Sequence, residues 1–200
     1  MRRTLLALPL ALLPLAIAHA DSHEHVHDHA HDHGHEEHGS LGKHEHGVAS
    51  LNVALDGQTL EIQLQSPAMN LVGFEHAAKS DADKAKVAAA RQQLEKPQAL
   101  FALPIEAKCS LEDSDLESPL FGDEEHEHEH EDHDHGDEHA HSDIDASYRF
   151  ACAKAEALKT LELGTFFGTF PGTEKLEVQL IGPSGQQGAE LTPKQSRLSF

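Results

Sequence analysis

Between His23 and His46, and again between His126 and His141, histidine falls at nearly every second residue, with Asp and Glu interspersed throughout. The two segments, DSHEHVHDHAHDHGHEEHGSLGKHEHG and DEEHEHEHEDHDHGDEHAHSD, hold too few apolar side chains to offset the entropy of ordering them, so any packed core is built from the rest of the chain. Both are expected to be disordered without metal. Neutral imidazole is the commonest side-chain ligand for borderline divalent ions, so a run of this composition is suited to collecting cations. An acidic spacer whose histidines only tune charge with pH is the plainer alternative.

The first twenty residues indicate the compartment. Arg2 and Arg3 precede an apolar stretch from Leu5 to Ala18, and Ala18-His19-Ala20 offers a small-x-small cleavage pattern, so 1–20 reads as a removable secretory signal. A mature chain would begin at Asp21 without the cysteine a lipid anchor needs, and no later stretch approaches the roughly 20 apolar residues of a membrane span. A soluble protein of the periplasm, with no membrane anchor, is expected. Loss of Arg2 and Arg3 leaves 13 Lys and Arg against 35 Asp and Glu, a formal charge of −22 with histidine neutral. That field repels nucleic acid and acidic lipid, disfavouring both as partners, and enriches small cations.

The remaining sequence alternates in the manner of half-buried strands. Ala49, Leu51, Val53 and Leu55 share one phase, Leu60, Ile62 and Leu64 continue it, and Asp56-Gly57 lies between, which predicts a hairpin with one buried face. Lys79 to Lys96 reads as a helix, with Ser80 or Asp81 as cap, a Val87, Ala90, Leu94 stripe and Pro97 beyond its end. Alternation resumes from Ile105 to Leu111, with Ala107 and Cys109 in the apolar phase. After the second run, Ile144, Ala146, Tyr148, Phe150 and Cys152 alternate with polar residues; Leu176, Val178 and Leu180 predict another strand, and Arg197 to Phe200 a last one. This order predicts an α+β domain of antiparallel sheet with a few short helices. Ala49 to Val53 can be laid over Ala146 to Phe150, so two similar halves around one core are a further expectation. The organisation expected is a signal over 1–20, a metal-binding arm over 21–43, and one domain over 44–200 interrupted by a His-rich loop at 121–140.

Two cysteines sit in predicted strands. In an oxidising compartment, pairing of Cys109 with Cys152 is the default reading, and it would enclose the whole second run. Thiolate ligation of zinc is the weaker alternative, because no C-x-x-C spacing is present.

Histidines at the strand entrances differ from those within the runs. In extended chain, side chains at i and i+2 point the same way roughly 6.6 Å apart, so an H-x-H pair can bend onto one ion. His44 and His46 lead into the first strand, His139 and His141 lead into the strand after the second run, and His76 stands alone in Gly73-Phe74-Glu75-His76. These five form the pool from which one tetrahedral site is expected, with Asp143 as a carboxylate candidate; for His76 a solvated loop histidine is the competing reading. The others, His23, His25, His27, His29, His31, His33, His35 and His38 in the first run and His126, His128, His130, His133 and His135 in the second, are expected to bind ions weakly and interchangeably.

An enzyme is not expected. His23-Glu24 with His27, and His126-Glu127 with His130, satisfy the H-E-x-x-H zinc-protease pattern, but composition produces the match and no apolar stripe would hold these segments helical.

The ordered segments carry a family resemblance. HEHGVASLNVALDGQTLEIQLQSPAMNLVGFEHA, ALFALP from Ala99 to Pro104, DIDASYRFAC from Asp143 to Cys152, and the ending FPGTEKLEVQLIGPSGQQGAELTPKQSRLSF resemble the zinc-regulated periplasmic zinc-uptake proteins of Gram-negative bacteria. What the resemblance implies is capture of Zn²⁺ under scarcity and delivery to components of an ABC-type zinc importer. The ligand chemistry alone admits Ni²⁺, Co²⁺ or Cu²⁺ as well, while a single mature methionine, Met69, argues against a Cu(I) site. A storage or detoxification buffer without an importer partner is the alternative function.

Overall fold

The computed structural model describes residues 45–122 and 142–200. The signal segment, the 21–43 arm, His44 and residues 123–141 lie outside the described residues, and with them the sequence readings made there.

Alternating apolar residues build the centre of the fold. β1 (Val48–Asp56) and β2 (Thr59–Pro67) form the expected hairpin, pairing Leu51 with Leu64, Val53 with Ile62 and Leu55 with Leu60. β3 (Cys109–Glu117), β4 (Asp143–Cys152), β6 (Lys175–Gly182) and β7 (Gly185–Leu191) complete a six-stranded sheet of order β3-β4-β2-β1-β6-β7. β5 (Thr160–Glu162) and β8 (Arg197–Ser199) form a separate two-stranded ribbon. The α+β reading holds. Within it the large sheet is mixed rather than wholly antiparallel, because β1 and β6 run parallel, with Leu51 beside Val178 and Val53 beside Leu180. A parallel neighbour requires a long crossover, and everything from β2 to the start of β6 supplies it.

One sheet face packs on helices. α1 (Ala68–Val72), α2 (Asp81–Leu94), α3 (Pro97–Leu100) and α4 (Gly164–Thr169) cover it, and α2 buries the expected stripe of Val87, Ala90 and Leu94. The Ser80 hydroxyl accepts the Asp83 N–H at 3.1 Å, satisfying one of the free donors at the α2 N-terminus. Phe101, fully buried, meets Tyr148 edge-on at 5.7 Å and stacks on Phe166 at 6.3 Å. The Tyr148 hydroxyl donates to the Leu94 carbonyl at 2.9 Å, and burial pushes its pKa well above the usual tyrosine value. The opposite face is open and polar, with Ser50, Asn52, Gln63, Gln65, Ser147, Arg149, Glu177 and Gln179 all exposed.

β1 and β4 both flank β2 and both run antiparallel to it. Leu51 and Ala146 face Leu64 from its two sides, and Val53 and Tyr148 likewise face Ile62. Their sequence similarity thus has a common physical source, since each presents one apolar phase to the same buried layer. Their other neighbours differ: β1 pairs with β6 in parallel, and β4 pairs with β3 antiparallel.

The stretch from Ile105 departs from expectation. Ile105–Ala107 is a short 3₁₀ turn with Ile105 89% exposed, and Lys108 is left-handed at φ 50°. The strand starts only at Cys109 and continues through the acidic LEDSDLE, at the sheet edge, with an irregularity between Leu111 and Asp113. Charge and irregularity are what protect an edge strand from pairing with another chain. Cys109 lies opposite Cys152 across this pair, and the two form a disulfide over a separation of 43 residues. The thiolate alternative is thereby excluded for the folded, oxidised chain.

Candidate metal centre

The strand directions gather several chain segments at one end of the sheet. Pro67 at the end of β2 lies opposite Asp143 at the start of β4, while Val48 at the start of β1 lies beside Lys175 at the start of β6. Glu45 and Ser142, the described residues that adjoin the histidine runs in sequence, therefore belong to the same end.

Small residues clip that end together. Gly47 is left-handed at φ 87°, a conformation that costs glycine little. Its N–H donates to the Asn70 side-chain oxygen at 2.7 Å, and its carbonyl accepts from the N–H groups of Glu174 and Lys175 at 2.7 and 2.9 Å. Asn70, buried on α1, uses its amide nitrogen to donate to the Val48 carbonyl at 2.8 Å and to the Ser66 hydroxyl at 3.2 Å. Gly172 presses on the same residue: a Cβ there would stand 2.6 Å from the Asn70 carbonyl oxygen, closer than any side chain can approach.

This clip places His46. Its Nε2 lies 3.0 Å from Oε1 of Glu75, whose side chain is 12% exposed against 51% for His46. Glu75 is fixed in turn, because its carbonyl accepts the Ser142 hydroxyl at 2.9 Å and the Ser142 carbonyl accepts the Ala68 N–H at 2.8 Å. Entrances to β1 and β4 are thus tied through one glutamate. The next residue, His76, stacks on Phe74 with ring centroids 4.7 Å apart, and its Nδ1 lies 3.0 Å from the Ala77 carbonyl. Nearby, the Ser80 hydroxyl donates to Asp83 and holds that carboxyl below the usual carboxylate range, with a smaller contribution from His76.

Of the expected pool, His46 and His76 are described and stand on adjoining segments of this end. His44, His139, His141 and the run histidines lie outside the described residues. Asp143 is half-buried at the start of β4, and its carbonyl accepts the Ser118 hydroxyl at 2.7 Å. Glu75 escaped the sequence reading. Its only signal was adjacency to His76, and nothing in the spacing placed it against a histidine 29 positions earlier. Among the described residues, no three of His, Cys, Asp and Glu come together closely enough to enclose an ion; they supply an imidazole and carboxylate pair. A concavity of about 620 Å³ on the open sheet face is lined by Ser50, Asn52, Gln65 and Glu177 among others. It contains no imidazole, and Lys175 already pairs with Glu177 at 2.9 Å.

The architecture is that of a small α+β domain with one open sheet face and an imidazole–carboxylate pair clipped at one sheet end. The family model described as ZrgA family zinc uptake protein matches residues 43–200, and the chain belongs to that family. Zinc and its uptake are therefore the ion and the process to which this domain relates. No curated protein matches the sequence.

Proposed function

We propose that the protein binds Zn²⁺ in the periplasm, collecting it on the two histidine runs and passing it to a tighter site at the clipped end of the sheet, from which an importer takes it. The observation that carries this reading is the His46–Glu75 contact, located where the residues adjoining both runs enter the fold. Acidic, histidine-rich segments raise the local cation concentration and exchange ligands readily, and tethering makes transfer to a nearby site effectively intramolecular. Binding and delivery, rather than catalysis, is the role proposed.

The test is metal titration with mass-resolved stoichiometry on the mature chain, on a chain lacking both runs, and on that deletion with His44, His46, His76, His139 and His141 changed to alanine. The expected outcome is many ions on the first, one strong ion on the second and none on the third; a mature chain that stays ion-free in excess zinc at neutral pH overturns the reading. Because zinc takes neutral imidazole, with a reference pKa of about 6.5, calorimetric affinity should fall at least about tenfold between pH 7.5 and 5.5. A storage buffer is the second reading, supported by the many similar donors that the two histidine runs offer. Competition against a graded series of chelators separates the two, since a buffer shows uniform weak sites.

A further inference from the structure

We propose that His46 takes zinc through its Nδ1 atom, and that Glu75 is the positioning residue that keeps the proton on Nε2. The proposal rests on the zinc-binding reading above and assigns an atom and a tautomer within it.

The chemistry follows from one contact. His46 Nε2 and Glu75 Oε1 stand at hydrogen-bond distance, 3.0 Å; with the carboxylate ionised it can only accept, and the hydrogen then belongs to the imidazole. In the neutral ring the other nitrogen, Nδ1, then carries an in-plane lone pair, and no described group donates to it. Histidines that bind metals almost always donate their second ring N–H to a carboxylate or carbonyl, which fixes the ring and raises its basicity.

The support behind His46 is more rigid than a surface ion pair requires. Glu75 is largely buried, with its backbone tied to Ser142, and the turn carrying His46 is held through Gly47 by the buried amide of Asn70. Half of the His46 side chain faces solvent, so an ion reaches the ring without opening the core. His76 offers an independent parallel. A Nδ1–H donated to the Ala77 carbonyl at 3.0 Å leaves its Nε2 as the acceptor.

Two readouts on the mature chain test this. In two-bond proton–nitrogen NMR spectra, with the His46 signals assigned by their loss in His46→Gln, the metal-free protein should show the Nε2–H pattern. One equivalent of zinc should shift Nδ1 while Nε2 stays protonated. In zinc competition titrations, Glu75→Ala should weaken the tightest site roughly 10- to 100-fold, as loss of a ligand-orienting partner does, and Glu75→Gln, whose amide oxygen still accepts the Nε2 proton, should restore most of that loss. Zinc on Nε2, equal loss in Glu75→Gln and Glu75→Ala, or tight binding that leaves the His46 signals unmoved would each overturn the proposal. The last of these outcomes leaves the zinc-binding reading standing, whereas failure of the mature chain to bind zinc at all removes both.

Discussion

The two ends of the large sheet are secured by opposite means. At one, Cys109 and Cys152 join the edge strand β3 to β4 covalently, beside the hairpin turn whose Gln58 carbonyl accepts the Cys152 N–H at 2.7 Å. At the other, Gly47, Asn70, Gly172, Glu75 and Ser142 hold four chain segments by hydrogen bonds and close backbone contact. The residues between β3 and β4, which include the second histidine run, lie within the disulfide loop but join the sheet at the hydrogen-bonded end. A covalent lock closes the loop that carries the acidic run without needing shape. The hydrogen-bonded end has to be shaped, because donor atoms are useful to an ion only in fixed positions.

The contrast predicts that stability and zinc affinity come apart on mutation. The largest effect on stability is expected from Cys109→Ala with Cys152→Ala, which frees a loop whose closure is worth about 4 kcal/mol in the chain-entropy account. Denaturant midpoints should fall accordingly, while the tightest zinc affinity changes less than threefold. A joint fall would merge the two ends into one cooperative unit. Asn70→Ala comes next. It strands the Gly47 N–H and the Val48 carbonyl, at a cost of roughly 2–3 kcal/mol, and because it loosens the turn bearing His46 it should weaken the tightest site at least tenfold. Unchanged zinc affinity in a folded Asn70→Ala protein would break the link between clip and site.

Tyr148→Phe is the smallest and serves as the control within the core. Losing the bond to Leu94 should cost about 1 kcal/mol and leave zinc binding alone. Its pH behaviour has a definite sign. Burial raises the folded pKa of Tyr148 above the unfolded value of 10.0, so the folded state retains a proton that the unfolded state releases, and stability falls as pH rises above about 10. Phenylalanine has no proton to lose, so the variant should show a shallower decline in alkaline thermal melts.

The central strands and α2 were legible because each satisfies a local period. Leu51, Val53, Ile62 and Leu64 repeat at two, and Val87, Ala90 and Leu94 at the helical spacing, and all are buried as the period requires. The two edges were not. β3 is acidic where apolar alternation was sought, and β7 reads GQQGAEL, with no apolar phase until its last residues. An edge strand is held by backbone pairing on one side and faces solvent, so its side chains carry no hydrophobic signature. The Ile105 stretch misled for the converse reason, as the apolar alternation there runs through a short 3₁₀ turn that exposes Ile105 and buries Ala107.

Local pattern and composition determined the apolar layer, the α+β class, the cysteine pairing and the abundance of imidazole, because each depends on residue type and short spacing. Tertiary structure alone decided that β1 and β6 run parallel, that the entrances to β1 and β4 share one end, and that Glu75 meets His46 across 29 residues. Those outcomes depend on strand order, and strand order is a property of how the whole chain closes its core, which no window of neighbouring residues encodes.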